Sequence, residues 1–313
     1  TSELQEYKEV AGIAARHKNV HYSRHSKNLR FEGNLLSFFE NVSTQYIVVI
    51  SDEDFPCMDG LNSLVPLLSK HRDIGAIRSS MENTRNGKRS KYSQAVLWED
   101  RTFLPADCIS IQLFGMVGNY ISGSIYNVPL LNKFRIPSRL RANLMANQAY
   151  PHLYLNLLAA ANTKTMRTKN VTCFMGEQDQ YEPELMTNYF GGFSYGARVD
   201  QFIALRDALF EGYKDIQGEN KGNSFDSEGF YKSYVSLCAK FFQLVLFTNG
   251  QMYNGHLLNL NNLRVSFTLL CISAIQHFPD YDTYKNWLTY NITNNGLIQL
   301  AKTDKSVQPL PLQ

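Results

Sequence analysis

The sequence predicts an α/β fold followed by a helical region. In the first half, short apolar runs rich in β-branched residues alternate with segments of helical periodicity, which predicts βαβ units and a mostly parallel sheet. The clearest run is residues 46–50, which contains no helix or strand breaker. Beyond about residue 196 the strand patterns stop and helical periodicity continues. We therefore predict a Rossmann-like α/β domain over residues 1–195 and a helical C-terminal region over residues 196–313.

The individual elements follow from local patterns along the chain. In the first 195 residues the predicted helices cover about 3–17, 34–43, 59–71 and 150–162, and the predicted strands cover 20–22, 45–50, 74–78, 95–98, 118–126 and 171–174. Ser2 can cap the first helix, and Pro151 suits the first turn of a helix because its missing N–H is no loss there. Residues 82–91 are polar and basic and predict a loop.

Four aromatic-rich helices are predicted after residue 196. Their periodic segments cover about 198–216, 226–248, 254–277 and 281–302. Packing of these aromatic side chains in a helical core is the favoured interpretation. The alternative is a docking surface for a second copy of the chain, a membrane face or a lipid-linked substrate.

Composition excludes several classes of protein. The chain has 313 residues, of which 44% are hydrophobic, and a net charge of +3, which is too small to indicate nucleic acid as a partner. Five widely spaced cysteines without a CxxC pair argue against zinc and fit reduced thiols in a cytosolic protein. Since no apolar run reaches about 18 residues, we predict no membrane-spanning helix. We predict a cytoplasmic protein, with peripheral contact to the inner face of the cell membrane left open.

Three adjacent acids, Asp52, Glu53 and Asp54, follow the predicted strand at residues 45–50. At ~4 Å each pair of carboxylates repels by about 1 kcal/mol in water, and by more where the dielectric constant is low. Mg²⁺ would relieve this repulsion, since it is usually held by one or two carboxylates together with substrate phosphates. A solvated acidic turn that caps the next helix explains the pattern equally well.

A longer stretch around this turn resembles a known family. Asn28-Leu29-Arg30-Phe31-Glu32-Gly33-Asn34 is followed by an amphipathic helix, the strand at 45–50 and then Ser51-Asp52-Glu53-Asp54. This order and spacing resemble family 2 glycosyltransferases, and within them the bacterial enzymes that build surface polysaccharides. Arg30 stands where the family usually has glycine. The residues Ile121-Ser122-Gly123-Ser124-Ile125-Tyr126 resemble a later strand that lines the donor-sugar pocket. The resemblance covers about residues 1–175.

The resemblance implies a GT-A fold, a nucleotide-sugar donor, and Mg²⁺ or Mn²⁺ bridging the donor diphosphate. It implies Asp54 as a direct metal ligand and Asp52 as a contact to the ribose or to metal-bound water, with Glu53 as the alternative ligand. Asn28 and Asn34 would lie near the nucleotide or brace its loop, and Ser122 and Gly123 would line the sugar pocket. The implied function is transfer of a sugar to a glycan or a lipid-linked glycan.

The catalytic base is not settled by the resemblance. The family often has a Glu-Asp pair at the start of the helix after the sugar-binding strand, whereas residues 147–153 contain no acid. His152 is one candidate, and a packing histidine is its plainer interpretation. Glu177 and Asp179, in a glycine-containing segment after the strand at 171–174, are the others, with a solvated loop as the alternative. Asp100 and Asp107 are weaker candidates.

The family's first strand and its acidic turn, which hold the nucleotide base, are expected upstream of Thr1. We therefore expect an incomplete chain, and the alternative is a binding or assembly protein that kept the scaffold without the donor half. A nucleotidyltransferase, which also uses acidic metal ligands, would need a basic, glycine-rich phosphate loop that the sequence lacks. A homo-oligomer formed through the C-terminal helices is a further expectation.

Overall fold

The structure is a computed structural model. It describes residues 5–52, 54–85, 88–91, 99–111, 114, 121–147, 150–175, 194–219, 224–252 and 260–295, and every structural statement below concerns these residues.

The described residues form seven strands, eleven α-helices, a 3₁₀ helix (Met145–Asn147) and a π-helix (Asn291–Asn295). The strands are β1 (Tyr46–Val49), β2 (Phe55–Pro56), β3 (Ile74–Arg85), β4 (Lys88–Lys91), β5 (Arg101–Phe103), β6 (Ser124–Asn127) and β7 (Lys164–Met175). The helices of the first 175 residues are α1 (Gln5–Arg16), α2 (Arg30–Asn41), α3 (Met58–Lys70), α4 (Cys108–Ile111), α5 (Val128–Lys133), α6 (Ile136–Ala142) and α7 (Pro151–Asn162). The C-terminal helices are α8 (Tyr195–Glu219), α9 (Ser227–Met252), α10 (Leu260–Ser273) and α11 (Tyr281–Tyr290).

These elements confirm the α/β class with a helical C-terminal region, but the sheet is mixed. Its central order is β1-β6-β3-β7-β2. Strands β3 and β7 pair in parallel, whereas β6 pairs antiparallel with both β1 and β3. Strands β1, β3 and β7 therefore run in one direction, and β6 lies between β1 and β3 in the opposite direction. The prediction of a mostly parallel sheet was wrong because a strand's local pattern does not reveal which strands it will lie between.

Two local predictions also differ from the structure. Residues 20–22 form no strand, and both Val20 and Tyr22 are exposed. The predicted loop at 82–91 instead contains the end of β3 paired antiparallel with β4. Backbone hydrogen bonds pair the two strands of this ribbon. Because its sequence is polar throughout, it lacks the alternation of apolar and polar residues from which a strand is predicted. The predicted strand at 95–98 lies outside the described residues.

Helix α7 joins the sheet to the C-terminal helices. All twelve of its residues are buried, as expected for a helix that is apolar on every side. One hydrophobic cluster extends from Leu35 on α2 through α7 to Ile292, so the two predicted domains share a core. The boundary near residue 195 remains a prediction.

The aromatic residues of the C-terminal helices pack mainly against one another. The rings of Phe202 and Phe241 lie 4.9 Å apart between centroids, and both side chains are buried. Phe230 on α9 contacts Phe278 at 5.5 Å in the same cluster. These contacts support the interpretation that the aromatic pattern is core packing. Among the described helices, none combines the length and the hydrophobicity needed to cross a bilayer.

Candidate functional site

The acidic turn lies at the carboxyl end of β1, where the residues just before β6 hold it. The Ser51 N–H donates to Ser122 Oγ at 2.8 Å, and the Gly123 N–H donates to the carbonyl of Val49 at 2.9 Å. Within the turn, the Asp54 N–H donates to the Ser51 carbonyl at 3.1 Å. The structure thus brings Ser122 and Gly123 next to the acidic turn.

The two described carboxylates of the turn have different surroundings. Asp54 is only 7% exposed and lies close to Cys173 on β7, and burial together with the charge of Asp54 raises the pKa of that thiol to about 12. Asp52 is exposed and accepts a hydrogen bond from the Tyr7 hydroxyl of α1, with 3.3 Å between Tyr7 Oη and Asp52 Oδ2. One carboxylate is therefore held inside the edge of the sheet, and the other faces solvent beside α1.

A buried hydroxyl pair supports the backbone at Gly123. Ser79 Oγ on β3 donates to the Gly123 carbonyl at 3.1 Å and shares a hydrogen bond with Thr172 Oγ1 on β7. The pair therefore links β3 and β7 to the residue directly before β6. Gly123 adopts φ = +77°, a conformation that residues with a side chain rarely adopt. A Cβ there would lie 2.8 Å from Ser79 Oγ and 3.1 Å from Thr172 Oγ1.

Gly123→Ala is expected to lower the free energy of unfolding by about 1–3 kcal/mol, because it adds left-handed backbone strain to a close contact. Urea denaturation followed by circular dichroism measures this. Adding Ser79→Ala to Gly123→Ala is expected to recover part of the loss, since it removes the closest atom. Simple additivity of the two changes would contradict the contact.

The two asparagines of the resemblance lie on the surface at the start of α2. Asn28 Oδ1 accepts the Arg30 N–H at 2.8 Å, so this side chain braces the chain where α2 begins. Asn34 is exposed on α2, and its carbonyl accepts the Ser37 hydroxyl at 2.7 Å. Contact of either residue with a nucleotide remains a prediction.

His152 is buried at the start of α7, with 1% of its surface exposed. Its ring lies 5.7 Å from Phe31 of α2 and 5.8 Å from Tyr150, measured between centroids. Arg198 of α8, also buried, lies over the Tyr150 ring at 5.3 Å, and burial lowers the pKa of Arg198 to about 10. His152 is thus part of a packed aromatic group in the core.

The remaining acidic candidates differ in how much the structure says about them. Glu53, Glu177 and Asp179 lie outside the described residues. Asp100 Oδ1 accepts hydrogen bonds from the Thr168 hydroxyl at 2.7 Å and the Lys169 N–H at 2.9 Å, so it supports β7. Asp107 Oδ1 accepts the Ser110 N–H at the start of α4. The carboxylates of Asp100 and Asp107 therefore have structural partners.

The donor set of the turn fits a hard divalent cation. Asp52 and Asp54 offer carboxylate oxygens two residues apart, and one or two carboxylates plus substrate phosphates are the usual protein contribution to Mg²⁺. The burial of Asp54, close to the Cys173 thiol, is the observation that favours a cation there. The described residues contain no group of three His, Cys, Asp or Glu side chains that could hold a metal ion by themselves.

Sequence reasoning did not identify four residues at this edge: Tyr7, Ser79, Thr172 and Cys173. A usable signal was present for Ser79, because two serines directly follow the predicted strand at 74–78. The pairing of Ser79 with Thr172 depends on the register between β3 and β7, which includes irregularities on both sides of Ser80. No local pattern gives that register.

The first part of the chain matches a protein-family model. Residues 3–124 match the family model described as glycosyl transferase family 2. The matched segment, less than half of the chain, contains α1, the acidic turn and Ser122–Gly123. No curated protein matches the chain. The match indicates that this segment is similar to family 2 glycosyltransferases.

Proposed function

We propose that this protein is a divalent-metal-dependent glycosyltransferase that moves a sugar from a nucleoside-diphosphate donor to a glycan or lipid-linked glycan. One observation supports this most strongly: the acidic turn lies at the carboxyl end of β1, where Ser122 accepts a hydrogen bond from Ser51, and its Asp54 is buried close to Cys173 of β7. Ligands of open α/β sheets bind outside the carboxyl ends of the parallel strands.

The proposed chemistry requires stabilisation of a departing diphosphate. Negative charge develops on the diphosphate oxygens as the bond to the anomeric carbon breaks, and the sugar becomes similar to an oxocarbenium ion. Mg²⁺ or Mn²⁺ would supply Lewis-acid stabilisation there, with Asp54 as its direct ligand. Asp52 would bind the ribose or metal-bound water, and Glu53 stays the alternative ligand. Ser122 and Gly123 would fix the backbone that faces the donor.

The acceptor hydroxyl must lose a proton during transfer, so we propose Glu177 or Asp179 as the base. Both follow β7 in the chain, and β7 ends at the same edge as the acidic turn. The packing of His152 between Phe31 and Tyr150 makes this histidine the weaker candidate, because a base must reach the reacting hydroxyl.

The biological setting that we propose follows from the resemblance and from the cysteines. The acceptor would belong to a bacterial surface polysaccharide, and the reaction would take place in the cytoplasm. Four buried cysteines (Cys57, Cys173, Cys238 and Cys271) are free thiols, which suits a reducing compartment. Self-association through the C-terminal helices remains part of the proposal and is testable by sedimentation.

Thermal unfolding with Mn²⁺ and a panel of nucleotide sugars tests the proposal. A donor present at a hundredfold excess over its Kd is expected to stabilise the protein by about 2.7 kcal/mol, a shift in Tm of several degrees. The donor that shifts Tm is then tested for metal-dependent release of nucleoside diphosphate. The shift should disappear when EDTA replaces Mn²⁺.

Two controls limit the interpretation of this experiment. Mn²⁺ alone and the free nucleoside monophosphate are expected to shift Tm less than the matching nucleotide sugar does. If no nucleotide sugar changes Tm with or without metal, the glycosyltransferase proposal fails. The protein would then fit the alternative of a binding or assembly protein on the same scaffold.

A further inference from the structure

We propose that α1 and the segment after it form a surface that binds anionic membranes. We call residues 16–30 the basic arm. It contains five Lys or Arg residues, three His residues and no acid. The rest of the chain contains 26 Lys and Arg against 28 Asp and Glu, so the net positive charge of the protein originates in this arm.

The charged side chains of the arm face solvent. Arg16, Lys18, Arg24 and Lys27 are all exposed. Among the ion pairs of the described part of the chain, none includes these four cations. A cation paired with an internal carboxylate would contribute little to an outside partner. The four cations therefore remain available to negative charge outside the protein.

Apolar side chains accompany these charges. Val20 and Tyr22, inside the arm, are 40% and 39% exposed. Val10 and Ile13 on α1 are 45% and 44% exposed, and their spacing of three residues places them on one side of the helix. No residue between 7 and 16 is buried, so α1 presents much of its surface outward.

This combination favours a bilayer over a soluble anion. A soluble polyphosphate or acidic peptide would use the cations alone. An anionic lipid surface uses both kinds of group, since cations near the headgroups are attracted to the surface and apolar side chains insert at the boundary with the acyl chains. The strength of such binding increases with the buried apolar area and with the electrostatic attraction to anionic lipids.

The surface lies beside the candidate site. The hydrogen bond from Tyr7 to Asp52 connects α1 directly to the acidic turn. Membrane binding through α1 and the basic arm would therefore hold the turn close to the lipid headgroups. If the proposed function is correct, this position suits an acceptor anchored in the bilayer. The membrane binding itself requires no sugar transfer and is measured without substrate.

Co-sedimentation of the full chain with vesicles tests the proposal. At low salt we expect binding to vesicles of phosphatidylcholine mixed with phosphatidylglycerol and little binding to phosphatidylcholine alone. High salt should weaken the binding strongly, because it screens the attraction between the surface charges. Equal binding to both vesicles, or no binding to the anionic ones, overturns the proposal.

A charge variant locates the surface. It combines Arg16→Ser, Lys18→Ser, Arg24→Ser and Lys27→Ser, and we expect its partition coefficient on anionic vesicles to fall by about 100-fold or more. The matched control removes the same charge from exposed residues elsewhere: Lys70→Ser, Arg72→Ser, Lys169→Ser and Arg264→Ser. The control should retain most of the binding. An equal loss in both variants would assign the effect to net charge and overturn the proposal.

An apolar variant separates membranes from soluble anions. Val20→Ser combined with Tyr22→Ser leaves every charge in place, and we expect about a tenfold loss of binding to anionic vesicles. Unchanged binding of this variant would show that the apolar side chains do not insert, and it would overturn the proposed surface. Circular dichroism spectra that match the unaltered protein would show that all variants are folded.

Discussion

Asp54→Ala is expected to lower kcat for sugar transfer about a thousandfold while leaving the protein folded. In the proposed function Asp54 is the direct metal ligand, so its loss would remove a Lewis acid that contributes several kcal/mol to stabilising the departing diphosphate, and each 1.36 kcal/mol corresponds to a tenfold change in rate. The fold should persist because the turn is held by backbone groups, namely the Ser51 N–H on Ser122 Oγ and the Asp54 N–H on the Ser51 carbonyl. Initial rates at saturating donor and Mn²⁺ measure the effect.

Asp59→Ala is the matched control for this variant. Asp59 is an exposed acid in the first turn of α3, five residues along the chain, and its loss should cost at most about 1 kcal/mol through the helix dipole. Asp54→Asn keeps the shape of the side chain, so it separates loss of charge from loss of packing against Cys173. Activity of both Asp54 variants within a few-fold of the unaltered enzyme would contradict the metal-ligand assignment.

The parts of the fold that the sequence predicts are those that local periodicity determines. The apolar run at 45–50 predicts β1 to within one residue at each end, and Pro151 marks the first residue of α7. The insertion of β6 between β1 and β3 and the ribbon of β3 and β4 depend on pairing between distant segments. Hydrophobic patterns contain no information on such partners, so these features were missed.

In the candidate site, too, local patterns predict some residues, whereas others depend on contacts between distant segments. The acidic turn and Ser122–Gly123 are visible in the sequence, since acids after a buried strand and a glycine between serines are unusual local patterns. The burial of a side chain is less predictable from the sequence. His152 stands at the start of a helix, where a polar residue is often exposed, yet α7 is surrounded on all sides and buries it. Tyr7 reaches Asp52 across 45 residues of chain.

Gly60→Ala is expected to destabilise the protein by about 3 kcal/mol or more, a large part of the 5–15 kcal/mol typical of a folded protein. Gly60 lies in α3 where the helix packs on β7, and a Cβ there would fall 1.7 Å from the carbonyl oxygen of Val171. That oxygen belongs to the backbone of a strand in the middle of the sheet, so it cannot rotate away as a side chain would. Helix α3 must instead move away from β7. The midpoint of urea unfolding measures the loss.

The displacement should also reach the candidate site. The Cys57 N–H, at the residue before α3, donates to the Thr172 carbonyl at 2.9 Å, one residue beyond the oxygen that the new Cβ would strike. Since Cys57 follows the acidic turn by three residues, a shift of α3 would pull on the chain that positions Asp54. We therefore expect Gly60→Ala to raise the Kd for donor and Mn²⁺ even at temperatures where the protein stays folded.

Gly12→Ala makes the same chemical change where the added methyl group meets nothing. Gly12 lies inside α1, and a Cβ built there has no atom within 4 Å. Alanine favours a helix over glycine by about 0.8–1.0 kcal/mol, so this variant should be as stable as the unaltered protein or slightly more stable. The two variants thus have opposite expected signs. Similar urea midpoints for both would show that α3 does not pack against Val171 as the structure describes, and the link from that helix to the acidic turn would fail with it.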